Sequence, residues 1–400
     1  MSSRIDFDVV IVGGGMVGAM VAALVAMSPE TEALTVAVLE PHPARPPLTN
    51  DPVDLRVSAL SRAAEALLRQ VGAWSQIVAR GACPYEQMMV WDAATLAGGP
   101  DTLLFDAAEV GEPNLGTIAE NVSIAASTLR CAQQAGVTVY SSALQGLVLR
   151  PDVAEVMIEG RTLRTRLVVA ADGAESPTRR FAGLSESIED YPQQAVIAHL
   201  TTQLPHAGVA RQRFLATGPL ALLPLADGRV SLVWSTTPDE AVRLLACDDA
   251  AFSARVTEAS AGVLGALTVS SPRAAWPLRR FNAQCYQATR VVLVGDAAHL
   301  VHPLAGQGVN QGFLDARRLV AELGRALHAK EDIGDARCLG RYARARATEN
   351  AVMGAALDGL YRLFTASDTW IGSARRTALG LIQQVAPIKG LLIKRALGLS

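Results

Sequence analysis

Four mostly apolar runs, residues 8–12, 35–39, 167–171 and 291–294, show no polar alternation. Such runs predict strands buried on both faces, as in a parallel sheet covered by helices. Residues 16–27 are apolar on every side and predict a buried helix; Ala63, Ala66, Leu67 and Val71 recur at helical spacing after 54–60. A further helix is expected over 121–134 and a strand over 137–140, while 147–158 alternates loosely and reads with 167–171 as a small meander rejoining the main sheet. Between 188 and 277 the pattern changes. Runs at 195–200, 212–215, 220–225 and 230–234 are spaced and bounded like antiparallel strands, with Asp227-Gly228 turning between the last two. Pro224, inside one of these runs, predicts an edge position, and a helix is expected over 250–264. Shorter strand-like pieces, such as 88–91, occupy 82–106 around a turn at Gly98, Gly99 and Pro100; the proline-rich 41–52 reads as an exposed loop. Helical pattern returns from about Asn310 and again from Arg341. The expectation is an α/β chain whose main unit is interrupted by a second, mainly β unit.

Three strand ends carry candidate chemistry. Gly13, Gly15 and Gly18 form G-x-G-x-x-G directly after the first strand and at the start of the first helix, and Glu40 closes the second strand. In that context the glycines let a pyrophosphate approach the backbone and the acid can bind a ribose hydroxyl pair. An adenine dinucleotide is implied, without a choice between FAD and NAD. Asp172-Gly173 follows a second strand end, where Asp-Gly is also an ordinary turn former. At the third, Gly295 and Asp296 stop 291–294 and leave a carboxylate at the carboxyl end of the sheet, suited to a polyol hydroxyl. His302 and Pro303 follow, then Gly306, Gln307 and Gly308, whose backbone amides can come close to a ligand, and a helix from Asn310 aims its positive end back at the same place. Arg56, at the entry to its helix, is either a solvated surface residue or a contact to flavin or pyrophosphate.

Composition narrows the classes. With 400 residues, 50% hydrophobic and 18% charged, the chain buries a sizeable core and is not disordered; a formal net charge of −2 sets nucleic acid aside as the main partner. The cysteines Cys83, Cys131, Cys247, Cys285 and Cys338 are scattered without a CxxC, which fits a reducing cytoplasm and neither a disulfide framework nor a metal site. The glycine motif lies too near residue 1 for a signal peptide before it, and no apolar run reaches the roughly 18 residues of a bilayer span. The stretch 371–400 carries Arg375, Arg376, Lys389, Lys394 and Arg395, no acid, and interleaved Leu and Ile. Such a basic, apolar helix can lie on an anionic membrane surface, dock on a partner protein, or pack as a terminal helix with a solvated face.

GxGxxG, Asp172-Gly173 and GDAAHLVHPLAGQGVNQGFLDA resemble the three fingerprints of the group A aromatic-ring flavin hydroxylases. More closely, DLRVSAL, the GDAAHxxHPLAGQGxN block and APIKGLLIKRALGL are similar to the 2-polyprenylphenol hydroxylase type of ubiquinone biosynthesis, over nearly the whole chain. The resemblance implies a p-hydroxybenzoate-hydroxylase-like fold: a Rossmann-like FAD-binding domain over 1–84, 112–184 and 280–345, an inserted antiparallel substrate domain over 85–111 and 185–279, and C-terminal helices over 346–400. It implies FAD as cofactor, NADH or NADPH as co-substrate, O₂ activated at the flavin C4a, and hydroxylation of a polyprenylphenol ring. Gly13, Gly15, Gly18 and Glu40 would hold the ADP half, Arg56 would lie against the cofactor, and Asp296 would bind the ribitol. Gly306, Gly308 and Asn310 would sit by the isoalloxazine, Asp172 and Gly173 would serve FAD and the passing NAD(P)H, and Asn121 would join the cofactor set. Pro303 would line the face where oxygen reacts, with His302 beside it; His199 and Tyr191 are assigned no role as a base. A ubiquinone-biosynthesis complex and the inner membrane face are the implied surroundings. Three alternatives remain: a small phenol held by a clamp using Arg211 and Arg213, a flavin reductase or halogenase, and a non-catalytic assembly subunit.

Overall fold

The computed structural model describes residues 4–48, 50–99, 102–300, 307–365 and Gly398. The main sheet has eight strands. Its centre is Phe7–Val12, parallel on one side to Val36–Leu39, with Val12 opposite Leu39, and on the other to Arg161–Ala170, with Val12 opposite Ala170. Arg161–Ala170 does two jobs along its length. Its first half pairs antiparallel with Ala154–Ile158, which pairs with Gly146–Leu149, so the expected meander is there. Its second half pairs parallel with Val291–Leu293. The carboxyl ends of three parallel strands therefore meet at one edge and bring together Gly13, Asp172 and Gly295.

The unalternating apolar sequence of Met16–Met27 has a direct cause. The helix is enclosed by the sheet, by Asn121–Gln134 and by Gln307–His328, and residues 18–25 are all buried. Gln307–His328 starts a turn earlier than the periodicity suggests, and the last described helix, Ala336–Thr365, already begins before Arg341.

The second sheet has nine strands, in the order His299–Leu300, Ala274–Ala283, Glu186–Thr202, Val230–Thr236, Gly218–Pro224, Val209–Leu215, Gln87–Asp92 and Leu103–Asp106, with Leu267–Val269 on the side of Glu186–Thr202. One face is covered by Pro238–Ala246 and Asp249–Ala259 over Val196, Ala198, Leu220, Leu222, Leu232 and Trp234. Two expectations are corrected here. Gly218–Pro224 is an inner strand: Pro224 is its last residue, opposite Val230, past the point where the ladder to Val209–Leu215 has stopped at Leu222, so its missing N–H breaks no central ladder. The helix expected over 250–264 stops at Ala259, because Ala261 and Gly262 take φ of 57° and 61°. A third sheet orders Val57–Leu60, Gly116–Glu120 and Cys83–Tyr85, and its Ala59, Cys83 and Ile118 pack with Leu223 and Leu225 of the second sheet.

Candidate active site

The glycine loop is a matter of backbone approach. Gly13 has φ of +100°, and a Cβ there would stand 2.3 Å from the Ala171 carbonyl oxygen; a Cβ on Gly18 would stand 1.9 Å from the Gly13 oxygen. Side chains at either place would drive the helix off the strand ends. Gly15 differs: it is exposed, with nothing within 4 Å of its Cβ position, and no side chain caps the helix that starts there. Open space beside uncapped helix amides fits a pyrophosphate. Glu40 closes toward the same loop, its Oε2 accepting from the Gly14 N–H at 2.8 Å and its Oε1 from the His42 N–H at 3.0 Å.

The late strand end is fitted to the first. Gly295 takes φ of +56°, and Cβ atoms on Gly295 and Gly312 would lie 3.1 and 2.4 Å from Val17 Cγ2. The turn and the late helix thus seat together on the first turn of Met16–Met27. Asp296, next in the turn, is open to solvent yet has protein on several sides. That enclosure raises its carboxyl above the ordinary range, while His299 and Arg56 pull it back. Arg56 is exposed, and its guanidinium carbon lies 5.9 Å from the ring centre of Trp276, on the second sheet.

Other predicted residues are occupied by the protein. The Asp172 carboxylate accepts from the Thr178 N–H at 2.9 Å, the Thr178 hydroxyl at 2.7 Å and the Ser176 hydroxyl, tying the short helix Pro177–Phe181 to the strand end. Gly173, with φ of +82°, makes the turn. From that helix the buried Arg179 donates to the Ala297 carbonyl at 3.0 Å, joining the second strand end to the third. Asn310 is buried: its Oδ1 accepts from the Ser61 N–H and its Nδ2 donates to the Ala59 carbonyl, both at 2.9 Å. Asn121 accepts from the Ser58 hydroxyl at 2.7 Å, and its N–H donates to the Arg56 carbonyl at 3.0 Å. Both asparagine side chains therefore brace Val57–Leu60, the strand that follows Arg56. Gly308 is half-buried with free space at its Cβ position. His302, Pro303 and Gly306 lie outside the described residues, as does the stretch 371–400 apart from Gly398.

A buried ionic group escaped the sequence reading. Asp315 Oδ2 accepts from the Gly295 N–H at 2.8 Å and lies 2.6 Å from His299 Nε2, while Oδ1 accepts from Arg346 Nε at 2.5 Å. Burial alone would raise the Asp315 carboxyl, but His299 and Arg346 hold it below the usual carboxylate range. A signal was present: Gln311, Asp315 and Glu322 recur at helical spacing among buried apolar residues of Gln307–His328, and a buried acid requires a cation.

The open face of the second sheet is mixed: Ile197, Ala221, Leu223 and Val233 share it with His199, Ser231 and, opposite Ala221, Gln212. His199, Ser231 and Leu223 stand opposite one another across three strands, as do Ile197, Val233 and Ala221. Leu223 packs with Val57 and Ala59, and Trp276, beside Ala195, meets Arg56. Ile197, Ala221 and Val233 are only half-buried there. His199 is fully buried and pushed down, first by burial and then by Arg229; the Ser231 hydroxyl meets no hydrogen-bond partner among the described residues. Arg211 and Arg213 point the other way, in register with Leu222 and Leu220 on the helix-covered face. Arg213 donates to the Ala259 and Ala93 carbonyls at 2.8 and 2.9 Å, and Arg211 to those of His206 and Val209 at 2.9 and 3.0 Å. Among the described residues no helix is long and apolar enough to cross a membrane, and no acid, histidine or cysteine cluster could hold a metal.

Residues 6–352 match the family described as FAD binding domain. The chain is 35% identical to the mitochondrial ubiquinone biosynthesis monooxygenase COQ6 of Xenopus tropicalis, over 96% of this chain and 91% of that protein. It is 31% identical to the 3-demethoxyubiquinol 3-hydroxylase of Escherichia coli K12, over 98% of each. Among solved structures, p-nitrophenol 4-monooxygenase from Pseudomonas putida DLL-E4 superposes with a TM-score of 0.77 at 17% identity, covering 99% of both chains, which bears on the fold. The glycine cradle and the open helix end fit the FAD that this family binds, with NAD(P)H as reductant. Carrying both the matching fold and relatives alike from end to end, the chain belongs to the group A FAD-dependent aromatic-ring monooxygenases, in their ubiquinone-biosynthesis branch.

Proposed function

We propose that this chain hydroxylates the aromatic ring of a polyprenylated phenol in ubiquinone biosynthesis, using NAD(P)H and O₂. The observation that carries the reading is the open face of the second sheet. It offers the half-buried Ile197, Val233 and Ala221 near Trp276, which meets Arg56, while Arg211 and Arg213 are bound to backbone carbonyls on the opposite face, so neither supplies a clamp for a substrate carboxylate. Apolar side chains there suit a prenylated ring and keep water from it. Bound FAD would supply reduction by NAD(P)H and activation of O₂.

The chain's own residues have defined tasks in this reading. Gly13, Gly15 and Gly18 admit the pyrophosphate, Glu40 the adenosine ribose, and Asp296 a hydroxyl of the ribitol. Arg56, held by the strand that Asn121 and Asn310 brace, carries positive charge to the cofactor edge facing Trp276. The free space at Gly308 would leave the helix end open toward a bound flavin, whose negative charge the helix dipole would favour. Pro303 and His302 are assigned the oxygen-reacting side. Asp172 and Gly173 hold the middle strand end and would also serve FAD and the passing NAD(P)H. We assign FAD to 1–84, 112–184 and 280–345 and the substrate to 85–111 and 185–279. The helices of 346–400 would dock the protein at the cytoplasmic face of the membrane or on a biosynthetic complex.

The deciding experiment is NADH and NADPH oxidation in air by the flavin-loaded protein, with and without a 2-prenylphenol, followed by mass spectrometry of products made under ¹⁸O₂. Strong stimulation with one labelled oxygen on the ring is expected. Bound flavin indifferent to prenylphenols but stimulated by hydroxybenzoate would overturn the reading in favour of a small phenol. Lipid co-sedimentation unchanged by deletion of 371–400 would remove the membrane assignment.

A further inference from the structure

Beneath the Gly295–Asp296 turn lies a buried polar cluster that touches no residue assigned to substrate and reaches from the turn to the last described helix. Asp315, Arg346 and His299 are 0, 2 and 4% exposed. The Asp315 carboxylate serves three donors, the Gly295 N–H at 2.8 Å, His299 Nε2 at 2.6 Å and Arg346 Nε at 2.5 Å. Because an ionised carboxylate only accepts, the hydrogen on His299 must sit on Nε2. Arg346 extends the cluster to Gln311 Oε1 at 3.0 Å and Asn350 Oδ1 at 2.8 Å, and pairs with Glu349. Asn350 in turn donates to the Tyr286 hydroxyl at 3.4 Å, whose ring stacks on His299 with centres 6.0 Å apart.

The turn is also held from its far side, where Arg179 donates to the Ala297 carbonyl at 3.0 Å and the Ala283 N–H to the Ala298 carbonyl at 2.8 Å. Gly295 is in the left-handed region, and the Ala298 N–H closes on its carbonyl at 2.8 Å, leaving Asp296 at the tip. The Gly295 N–H is the entry point of that turn, and Asp315 holds it from below. We propose that Asp315 is a positioning residue for FAD: through the Gly295 N–H and His299 it sets the turn that presents Asp296 to the ribitol, and through Arg346 it locks that turn to helix Ala336–Thr365. This deepens the assignment of Asp296 and rests on it.

Asp315→Asn is the informative change, because an amide has one acceptor and one donor. Whichever way it is placed, its NH₂ faces a donor: either Arg346, or both Gly295 and His299. The test is titration of apoprotein with FAD by flavin fluorescence quenching, with visible circular dichroism of the bound flavin and circular dichroism of the apoprotein as a fold control. Wild type is run alongside; its failure to bind FAD would sink the cofactor assignment itself rather than the role of Asp315. For Asp315→Asn a Kd raised at least tenfold and an altered flavin dichroism are expected in a folded apoprotein. His299→Gln, which keeps a donor toward Asp315, should hold Kd within threefold, whereas His299→Leu should not. A folded Asp315→Asn with Kd within twofold of wild type and an unchanged flavin spectrum overturns the proposal. If Asp315→Asn does not fold, the histidine pair decides: equal Kd for His299→Gln and His299→Leu also overturns it.

Discussion

Replacing Gly18 by alanine isolates the close approach of helix to strand from every other property of the glycine loop. The new methyl would sit 1.9 Å from the Gly13 carbonyl oxygen and 3.0 Å from its carbon, and both are backbone, so no side chain can swing aside. The first helix must move outward by an ångström or more. Overpacking of this kind costs about 1–3 kcal/mol; at roughly 2–4 °C per kcal/mol for domains of some 150–250 residues, melting should drop by several degrees. The same displacement carries Gly15 away from the strand ends and should weaken FAD binding. Gly15→Ala is the matched control. Nothing lies within 4 Å of its Cβ, so its stability cost is confined to the poorer capping preference of alanine, at most about 1 kcal/mol, while its methyl enters the space given to the pyrophosphate. Thermal melts of both apoproteins, with FAD titrations, should show stability lost mainly at Gly18 and affinity lost at both. A Gly18→Ala protein with wild-type melting temperature and wild-type FAD affinity would refute the reasoning, since no repacking could accommodate that contact at no cost.

Other changes probe the remaining supports. Asn310→Ala leaves the buried Ser61 N–H and Ala59 carbonyl without this partner; at about 1–3 kcal/mol for each orphaned group, urea denaturation should show a loss of roughly 2–6 kcal/mol, and a loss below about 0.5 kcal/mol would contradict the bracing role. Asp296→Asn should raise the melting temperature of the apoprotein slightly, because a carboxyl whose folded pKa is raised destabilises the fold once pH exceeds its unfolded value, and should loosen FAD; a lower apoprotein melting temperature at pH 7 would argue against that enclosure. Asp8, Asp227, Asp315 and Asp332 are all held below the usual carboxylate range, so their stabilisation is complete above the unfolded value of about 4 and vanishes as pH falls through the folded values. Melting temperature followed against pH should therefore fall away below about pH 4, and a main acid transition centred above pH 5 would place the cause elsewhere.

What could be seen in advance was whatever depends on the chain's own backbone. Gly13, Gly18 and Gly295 announce themselves because only glycine tolerates their torsions and contacts, and the unalternating runs announce double burial for the same local reason. Partner-dependent features did not show. Pro224 obeys the rule against central prolines by ending its strand, but which strands flank it is decided by register with distant residues. Asn310 has the chemistry of a ligand-binding amide, yet one of its acceptor sites and one of its donors go to Ser61 and Ala59, far away in the chain. Asp172 likewise reads as a free strand-end acid until Thr178 and Ser176 are seen to occupy it. Asp315 was hidden because its partners come from a turn before it and a helix after it.

The three parallel strand ends that meet beside Gly13 come from the beginning, the middle and the late part of the chain. No fragment emerging from the ribosome can own the site until the strand Val291–Leu293 has been made and inserted, so the cofactor can select only essentially complete chains. Closing so long a loop before any binding energy is returned makes this assembly intrinsically slow. Bound FAD would then add to the stability of the finished fold by mass action.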